Sequence, residues 1–137
     1  MEMRCDLPDE QAMSSMALHI LLADDEPAIL DVLGSRLLRA GFKVLYARDG
    51  RAALQIARQR IPALVVLDET MPAMRGLEVC ARLAEGQATA KIPMILLTGL
   101  PIQSDVPPNI RKIVAKPFST KTILEIIQEI LARPGGD

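Results

Sequence analysis

Five polar residues that could do chemistry together each follow a short apolar run in the sequence. The carboxylates Asp24 and Asp25 follow the first run, and the carboxylate Asp68 follows a later one. Thr98 and Lys116 follow two further runs. Apolar runs of about four residues are typical of buried parallel strands, and ligands of such sheets bind beyond the carboxyl ends of the strands. We therefore expect all these side chains to lie along one edge of a sheet.

The three carboxylates suit a hard cation and phosphoryl chemistry. Clustered carboxylates repel one another, and oxygen ligands without His or Cys favour Mg²⁺, which keeps several waters and often has a phosphate in its coordination shell. This favours Asp68 as a nucleophile that forms an aspartyl phosphate, with Lys116 and Thr98 binding the phosphoryl oxygens. The single histidine, His19, lies early in the first strand. Because no dedicated general base is evident, we expect a phosphoryl group on Asp68 to persist.

Strand and helix signals alternate along most of the chain and supply the elements that would position these residues. The predicted strands are 18–23, 42–47, 63–67, 92–97 and about 112–115. Helices are expected to begin near Pro27, after Asp49 as an N-cap, near Gly76, and after Ser119 or Thr120. This alternation predicts an α/β three-layer sandwich around a doubly wound, five-stranded parallel sheet in the order 2-1-3-4-5.

The connection between Thr98 and Lys116 departs from this alternation. It contains Pro101, Pro107 and Pro108. Each proline disfavours helix at the residue before it and breaks a helix that contains it. The fourth helix is therefore expected to be short, irregular or absent.

Composition excludes several other classes of protein. The 137 residues suit one domain, and the net charge of −1 with no basic stripe argues against DNA binding by this chain alone. Cys5 and Cys80 form no zinc or disulfide pattern and suit a reduced cytoplasm, and no apolar stretch is long enough to span a membrane. We expect a flexible arm at 1–17, the domain at 18–132, and a tail or the start of a linker at 133–137.

Five segments in this order resemble the receiver domain of two-component response regulators: LLADDEP, VVLDETMP, RGLEV, IPMILLTG and AKPF. The similarity covers roughly residues 18–132. It implies a flavodoxin-like fold and a cytoplasmic signalling domain that is no conventional enzyme, since such domains catalyse only their own phosphorylation and dephosphorylation. The implied partners are a sensor histidine kinase or a histidine phosphotransfer protein, in a phosphorelay that depends on Mg²⁺ or Mn²⁺.

The resemblance also implies roles for the acidic residues. Asp68 matches the phosphoacceptor, and Asp24 and Asp25 match the acidic pair around the metal. Asp25 would ligate the metal directly and Asp24 largely through water. Asp68 and the backbone carbonyl of Thr70 would complete the protein ligands.

On the other side of the site, Thr98 matches the switch hydroxyl and Lys116 the phosphate-binding lysine. Pro117 matches a proline that usually follows a cis peptide bond. Receiver domains usually carry an aromatic residue three positions before the lysine, and here that position is Ile113. Since the stretch 109–113 also departs from the usual pattern, we expect intact phosphorylation chemistry with an atypical output switch and an unknown downstream protein partner.

Other interpretations are weaker. Each of the five residues alone could be a helix-start acid or an ordinary strand-end residue, but their common placement disfavours this. A receiver-like scaffold that does not switch is the main alternative. A phosphatase with Asp24 or Asp25 as nucleophile would need a DxD pattern, which is absent. A flavin or nucleotide binder would need a loop rich in Gly, Ser or Thr after the first strand.

Overall fold

A parallel sheet of five strands forms the centre of the structure, a computed structural model that describes residues 18–103 and 105–132. The strands are β1 (His19–Ala23), β2 (Lys43–Ala47), β3 (Leu64–Asp68), β4 (Met94–Thr98) and β5 (Ile110–Ala115). Their order is β2-β1-β3-β4-β5, and each neighbouring pair is parallel. The predicted strand order is confirmed. The predicted arm 1–17 and tail 133–137 lie outside the described residues.

Four helices occur among the described residues: α1 (Pro27–Arg39), α2 (Gly50–Arg60), α3 (Gly76–Glu85) and α4 (Thr120–Leu131). The start of α1 has its proline at the first helical position, where the missing N–H costs nothing. The start of α2 is capped by Asp49, whose carboxylate accepts a hydrogen bond from the Ala52 N–H at 2.7 Å. Ser119 caps α4 by accepting from the Thr122 N–H at 3.1 Å. These predicted helix starts are confirmed.

The helices cover both faces of the sheet. Helices α2 and α3 pack on one face through Leu54, Val79 and Leu83, and β4 contributes Leu96 to that core. Helices α1 and α4 pack on the other face through a second apolar core, formed with alternate residues of the same strands: Leu30, Leu33, Leu37, Ile123 and Ile127. The three-layer sandwich is therefore built from two cores, and the central strands β1, β3 and β4 between them are apolar on both faces.

Two strands extend further towards the functional edge than predicted. Asp68 is the last residue of β3 and Thr98 the last residue of β4, rather than the first residues after them. β4 starts at Met94 instead of 92, because Ile92 still belongs to a turn in which its N–H donates to the Thr89 carbonyl. β5 is longer than predicted and starts at Ile110.

The segment from 99 to 109, which we call the β4–β5 connection, contains no helix in its described residues 99–103 and 105–109. This agrees with the effect expected of its prolines. Its far end is fixed by Asn109, whose side-chain N–H donates to the Cys80 carbonyl at 2.9 Å. The Asn109 carbonyl in turn accepts from the Met94 N–H at 2.9 Å. The end of the β4–β5 connection next to β5 is therefore hydrogen-bonded both to α3 and to the start of β4.

Candidate functional site

The acidic residues meet at the carboxyl ends of β1 and β3, which are neighbours in the sheet. One carboxylate oxygen from each of Asp24, Asp25 and Asp68 lies within 4.8 Å of the others. Asp24 is 2% exposed and Asp68 is 3% exposed, whereas Asp25 is exposed to solvent. The structure therefore brings together the three carboxylates that the sequence placed on one edge.

Close backbone packing fixes the end of β3. At Gly76, the first residue of α3, a Cβ atom would lie 2.6 Å from the carbonyl oxygen of Asp68. The Gly76 N–H also donates to the Glu69 carbonyl at 3.0 Å. Any larger residue at this position would push α3 away from the strand end, so the glycine allows α3 to hold Asp68 in place.

Lys116 lies directly against Asp68. Its Nζ atom is 2.5 Å from Asp68 Oδ1, and the other oxygen of Asp68 accepts from the Thr70 N–H at 3.2 Å. The Lys116–Pro117 peptide bond is cis, and the Lys116 N–H donates to the Thr98 carbonyl at 2.8 Å. Burial lowers the pKa of Lys116, but the hydrogen bond and charge of Asp68 outweigh it and leave the pKa raised. The lysine is therefore a fixed cation at the carboxylate.

Asp24 is incompletely satisfied. Its Oδ1 accepts from the Glu26 N–H at 2.9 Å, but its buried Oδ2 has no hydrogen-bond partner among the described residues. Burial, assisted by the charges of Asp68 and Asp25, raises the pKa of Asp24 to about 6. A buried carboxylate oxygen without a partner, facing two further carboxylates, is the donor set that a hard divalent cation requires. The residues present therefore fit Mg²⁺.

Thr98 is close to the site but hydrogen-bonds to the β4–β5 connection. Its hydroxyl donates to the Leu100 carbonyl at 2.7 Å and accepts from the Leu100 N–H at 3.2 Å. Leu100 itself is 76% exposed. The hydroxyl is thus hydrogen-bonded to the backbone two residues further along the chain, rather than to Asp68 or Lys116.

Ile113 lies away from the carboxylates, in the middle of β5. It pairs with Leu96, so the two side chains lie on the same face of the sheet as α2 and α3. Ile113 is nevertheless 39% exposed, because no helix of the described β4–β5 connection covers it.

The role of the Thr70 carbonyl as a metal ligand stays a prediction. The structure shows only that this residue is exposed and that its N–H donates a hydrogen bond to the Asp68 carboxylate.

The sequence reasoning missed a second polar cluster beside the site. Glu69 is buried next to Asp68, and its carboxylate accepts from the Leu77 N–H at 2.8 Å and from Arg75 Nε at 2.9 Å. It ties the strand end to the first turn of α3, where a negative charge is favoured. The available signal was an acid directly after a buried strand, seven residues before the start of a helix.

Comparison with known proteins gives the family. Residues 20–128 match the model described as the response regulator receiver domain. The chain belongs to the response regulator receiver domain family. Receiver domains are signalling domains in two-component systems, and their acidic pocket binds Mg²⁺ as a general feature of the family. This chain has a cluster of three carboxylates, Asp24, Asp25 and Asp68, at the carboxyl ends of β1 and β3.

The chain matches curated relatives over only part of their length. The receiver is 36% identical over 118 residues to the DNA-binding dual master transcriptional regulator RpaA of Synechocystis, covering 83% of this chain and 49% of that protein. It is 40% identical to a probable transcriptional regulator ycf27 of Galdieria sulphuraria, covering 83% and 45%. The chain thus spans about half the length of these curated relatives.

A solved structure supports the fold directly. The chemotaxis response regulator CheY4 of Vibrio cholerae matches with a TM-score of 0.71 and 26% identity, covering 82% of this receiver and 97% of that chain. The flavodoxin-like architecture predicted from the sequence is therefore confirmed. Within the described part of the chain, no helix is both long and apolar enough to cross a membrane.

Proposed function

We propose that this receiver accepts a phosphoryl group on Asp68 from a histidine kinase or a histidine phosphotransfer protein, within a cytoplasmic phosphorelay. The observation that carries the proposal is the buried Asp68 carboxylate, which lies between two further carboxylates and the ammonium of Lys116. We further propose that residues 18–132 form the complete receiver unit, with 1–17 as an arm and 133–137 as a tail or linker.

In the proposed reaction, a carboxylate oxygen of Asp68 forms a bond to phosphorus while the bond between phosphorus and the donor nitrogen breaks. The donor imidazole leaves with the electron pair and takes up a proton. Lys116 balances charge on the phosphoryl oxygens, and the backbone around Asp68 keeps the nucleophile in position. The other side chains form no covalent bond in this step, so the protein accelerates the transfer mainly by positioning the reacting groups and by balancing charge.

Asp25, Asp24 and Asp68 would hold the metal, together with the Thr70 carbonyl. When bound, Mg²⁺ or Mn²⁺ supplies positive charge that lets an anionic phosphate approach three carboxylates. The unpartnered Oδ2 of Asp24 supports this ligand set, because it is a buried acceptor that the described protein groups leave open.

The output side of the proposal concerns Thr98. A phosphoryl group on Asp68 needs a hydroxyl donor, and the Thr98 hydroxyl at present donates to the Leu100 carbonyl. A hydroxyl has one proton to donate, so binding the phosphoryl group requires this bond to break. We propose that phosphorylation is read out as a movement of the β4–β5 connection near Leu100, in place of the usual helix and aromatic residue.

A second candidate is a receiver-like scaffold that does not switch. It is favoured by Ile113, which is 39% exposed and stands where receiver domains usually carry an aromatic residue, so β5 offers no aromatic side chain that could turn inward at this position. In that case Asp68 would still bind a phosphoryl group or its mimic, but the β4–β5 connection would not respond.

The phosphoacceptor proposal is tested by incubating the protein with Mg²⁺ and acetyl phosphate and measuring the intact mass. Wild type is expected to gain one phosphoryl group, and Asp68→Asn none. Asp49→Asn is the matched control, because Asn caps a helix as well as Asp and this residue lies outside the carboxylate cluster. No mass gain on wild type, or an equal gain on Asp68→Asn, would contradict the proposal.

A further inference from the structure

The charges of this chain are unevenly distributed. Residues 32–67 carry seven basic side chains and one acidic side chain, so this stretch has a net charge of +6 in a chain whose net charge is −1. All other residues together therefore carry −7. The basic residues run from the second half of α1, through the edge strand β2, to the end of α2: Arg36, Arg39, Lys43, Arg48, Arg51, Arg58 and Arg60. None of the seven has an ion-pair partner among the described residues.

Four of these cations lie in the two segments that flank the amino end of β1. On one side, the Lys43 N–H donates to the Leu18 carbonyl at 3.3 Å. On the other side, the Ala63 N–H donates to the carbonyl of the first residue of β1 at 2.8 Å. The flanking segments are therefore 39–43 and 58–63, and neither contains an acidic residue. We call their exposed cations the basic rim: Arg39, Lys43, Arg58 and Arg60.

Apolar side chains are exposed beside the basic rim. Leu38 is 54% exposed and Ile61 is 44% exposed. Ile61 also has a left-handed backbone conformation, with a φ of 43°, which is strained for a β-branched residue. Phe42, the aromatic residue of the flanking segments, is instead packed against the core, so the rim gives a nucleic-acid base little to stack on. A polypeptide that carries both acidic and apolar residues would match this surface.

The first seventeen residues of this chain have that composition. They contain four carboxylates and one basic side chain, so their side chains sum to −3. Apolar residues are interspersed with the acids: Met1, Met3, Leu7, Met13 and Met16. The segment is joined to Leu18, beside Lys43, and the eight residues from Glu10 to that point can span up to roughly 28 Å. Covalent attachment gives the segment an effective concentration on the order of millimolar at the rim, so weak contacts are sufficient.

We propose that residues 1–17 dock on the basic rim of their own chain, with carboxylates against its cations and apolar side chains against Leu38 and Ile61. Each exposed ion pair contributes little by itself, so several acids have to act together. The basic rim lies at the amino ends of β1 and β2, whereas the carboxylate cluster lies at the carboxyl end of the sheet. The docked segment therefore leaves Asp68 accessible, and this inference does not depend on the proposed phosphoacceptor function.

A spin label on Cys5 tests the docking directly. Cys5 lies in the segment, whereas Cys80 is completely buried and burial raises the pKa of its thiol to about 12, so the label attaches to Cys5. A nitroxide broadens the amide resonances of residues near it. In the full chain, broadening is expected at Lys43 and Arg60 but not at Asp68, on the opposite edge of the sheet.

Neutralising the acids of the segment separates charge-driven docking from mere proximity. In the labelled protein that carries all four substitutions, broadening at the rim should fall by about twofold or more, since each lost pair weakens docking. Salt at about 1 M, where the Debye length is about 3 Å, should have the same effect on wild type. The four substitutions keep the size of each side chain: Glu2→Gln, Asp6→Asn, Asp9→Asn and Glu10→Gln.

The receiving surface is tested by removing two of its cations. Arg58→Gln combined with Arg60→Gln should reduce broadening at Lys43 by about twofold or more. Lys121→Gln is the charge control, because it removes an exposed cation at the start of α4, beyond the opposite edge of the sheet. This variant should keep the broadening of wild type.

Three results would overturn the proposal. The first is broadening spread evenly over exposed amides, or unchanged when the acids are neutralised. The second is full rim broadening in a mixture of labelled protein without ¹⁵N and unlabelled ¹⁵N protein, which would assign the rim to a second copy. The third is an unbroadened rim in wild type, which would leave the rim to an external polyanion such as nucleic acid. None of these measurements needs Mg²⁺ or phosphorylation, so their failure would not affect the proposed function.

Discussion

The two sides of this receiver's functional edge differ in how firmly the fold holds them. On the acidic side, Asp24 and Asp68 are almost fully buried at the ends of two central strands, and Lys116 contacts Asp68 directly. On the other side, Thr98 leads into a β4–β5 connection that has no helix in its described residues and ends in an exposed stretch of edge strand. The contrast suggests that the site's chemistry and its readout are constrained separately.

Physical reasons account for the contrast. The acidic side needs fixed charges, and short strands buried on both faces provide fixed end points for them. In the proposed switch the output side changes conformation, and a segment with few buried contacts costs less free energy to rearrange than a packed helix. In that proposal, a proline-rich connection takes the place of the usual helix without disturbing Asp68.

The largest effect is expected from removing the cation of the acidic side. Lys116→Met should slow phosphorylation by acetyl phosphate roughly 10²- to 10³-fold, because one preorganised donor to the phosphoryl oxygens is lost. Rates can be followed by intact mass against time. Lys121→Met, which removes an exposed lysine of α4, is the control and should react as wild type. A Lys116→Met rate within a factor of two of wild type would show that this side is not the catalytic one.

Metal binding should stabilise the acidic side of wild type and depend on its exposed ligand. Mg²⁺ at about one hundred times its dissociation constant should raise the free energy of unfolding by about 2.7 kcal/mol. Urea titrations with and without Mg²⁺ measure this difference. Asp25→Asn should lose most of it, whereas Asp31→Asn, an exposed acid on α1, should keep it. Equal stabilisation of all three proteins would place the metal elsewhere.

The smallest effect is expected on the output side. Ile113→Phe restores an aromatic residue at a position that is already 39% exposed, so the free energy of unfolding should change by less than about 0.5 kcal/mol. Phosphorylation rates should also stay unchanged. Leu96→Ala, at the buried partner position in β4, is the contrasting variant and should cost about 2–5 kcal/mol. A large loss from Ile113→Phe would mean that this position is packed in solution.

The placement of the acidic residues could be predicted from the sequence, because it depends only on where the strands end and on the order of the strands in the sheet. An apolar run followed by an acid gives a strand end, and the doubly wound order then places Asp24 beside Asp68. The absence of a helix in the described β4–β5 connection was also predictable, since prolines act on the backbone directly. Features that depend on single residues, such as the proline effect, or on strand order, such as the meeting of the carboxylates, were therefore predictable from the sequence.

The contacts that sequence reasoning missed depend on tertiary packing. Glu69 reads as one more acid after a strand, and only the approach of α3 to β3 through Gly76 buries it against Arg75 and Leu77. The Thr98 hydroxyl could have bonded several groups, and the path of the β4–β5 connection decides that it bonds Leu100. The exposure of Ile113 likewise depends on tertiary packing, since no helix of the described β4–β5 connection covers it.

The most direct test of the difference between the two sides is an amide NMR comparison with and without beryllofluoride, a phosphoryl mimic, in the presence of Mg²⁺. The account predicts large shifts around Asp68 and also at Leu100 and its neighbours, because the Thr98 hydroxyl must leave the Leu100 carbonyl. In Thr98→Val the mimic should still shift the amides around Asp68 but leave Leu100 unmoved. Shifts confined to the acidic side in wild type would contradict the switch and favour the scaffold; no shifts anywhere would contradict the phosphoacceptor site itself.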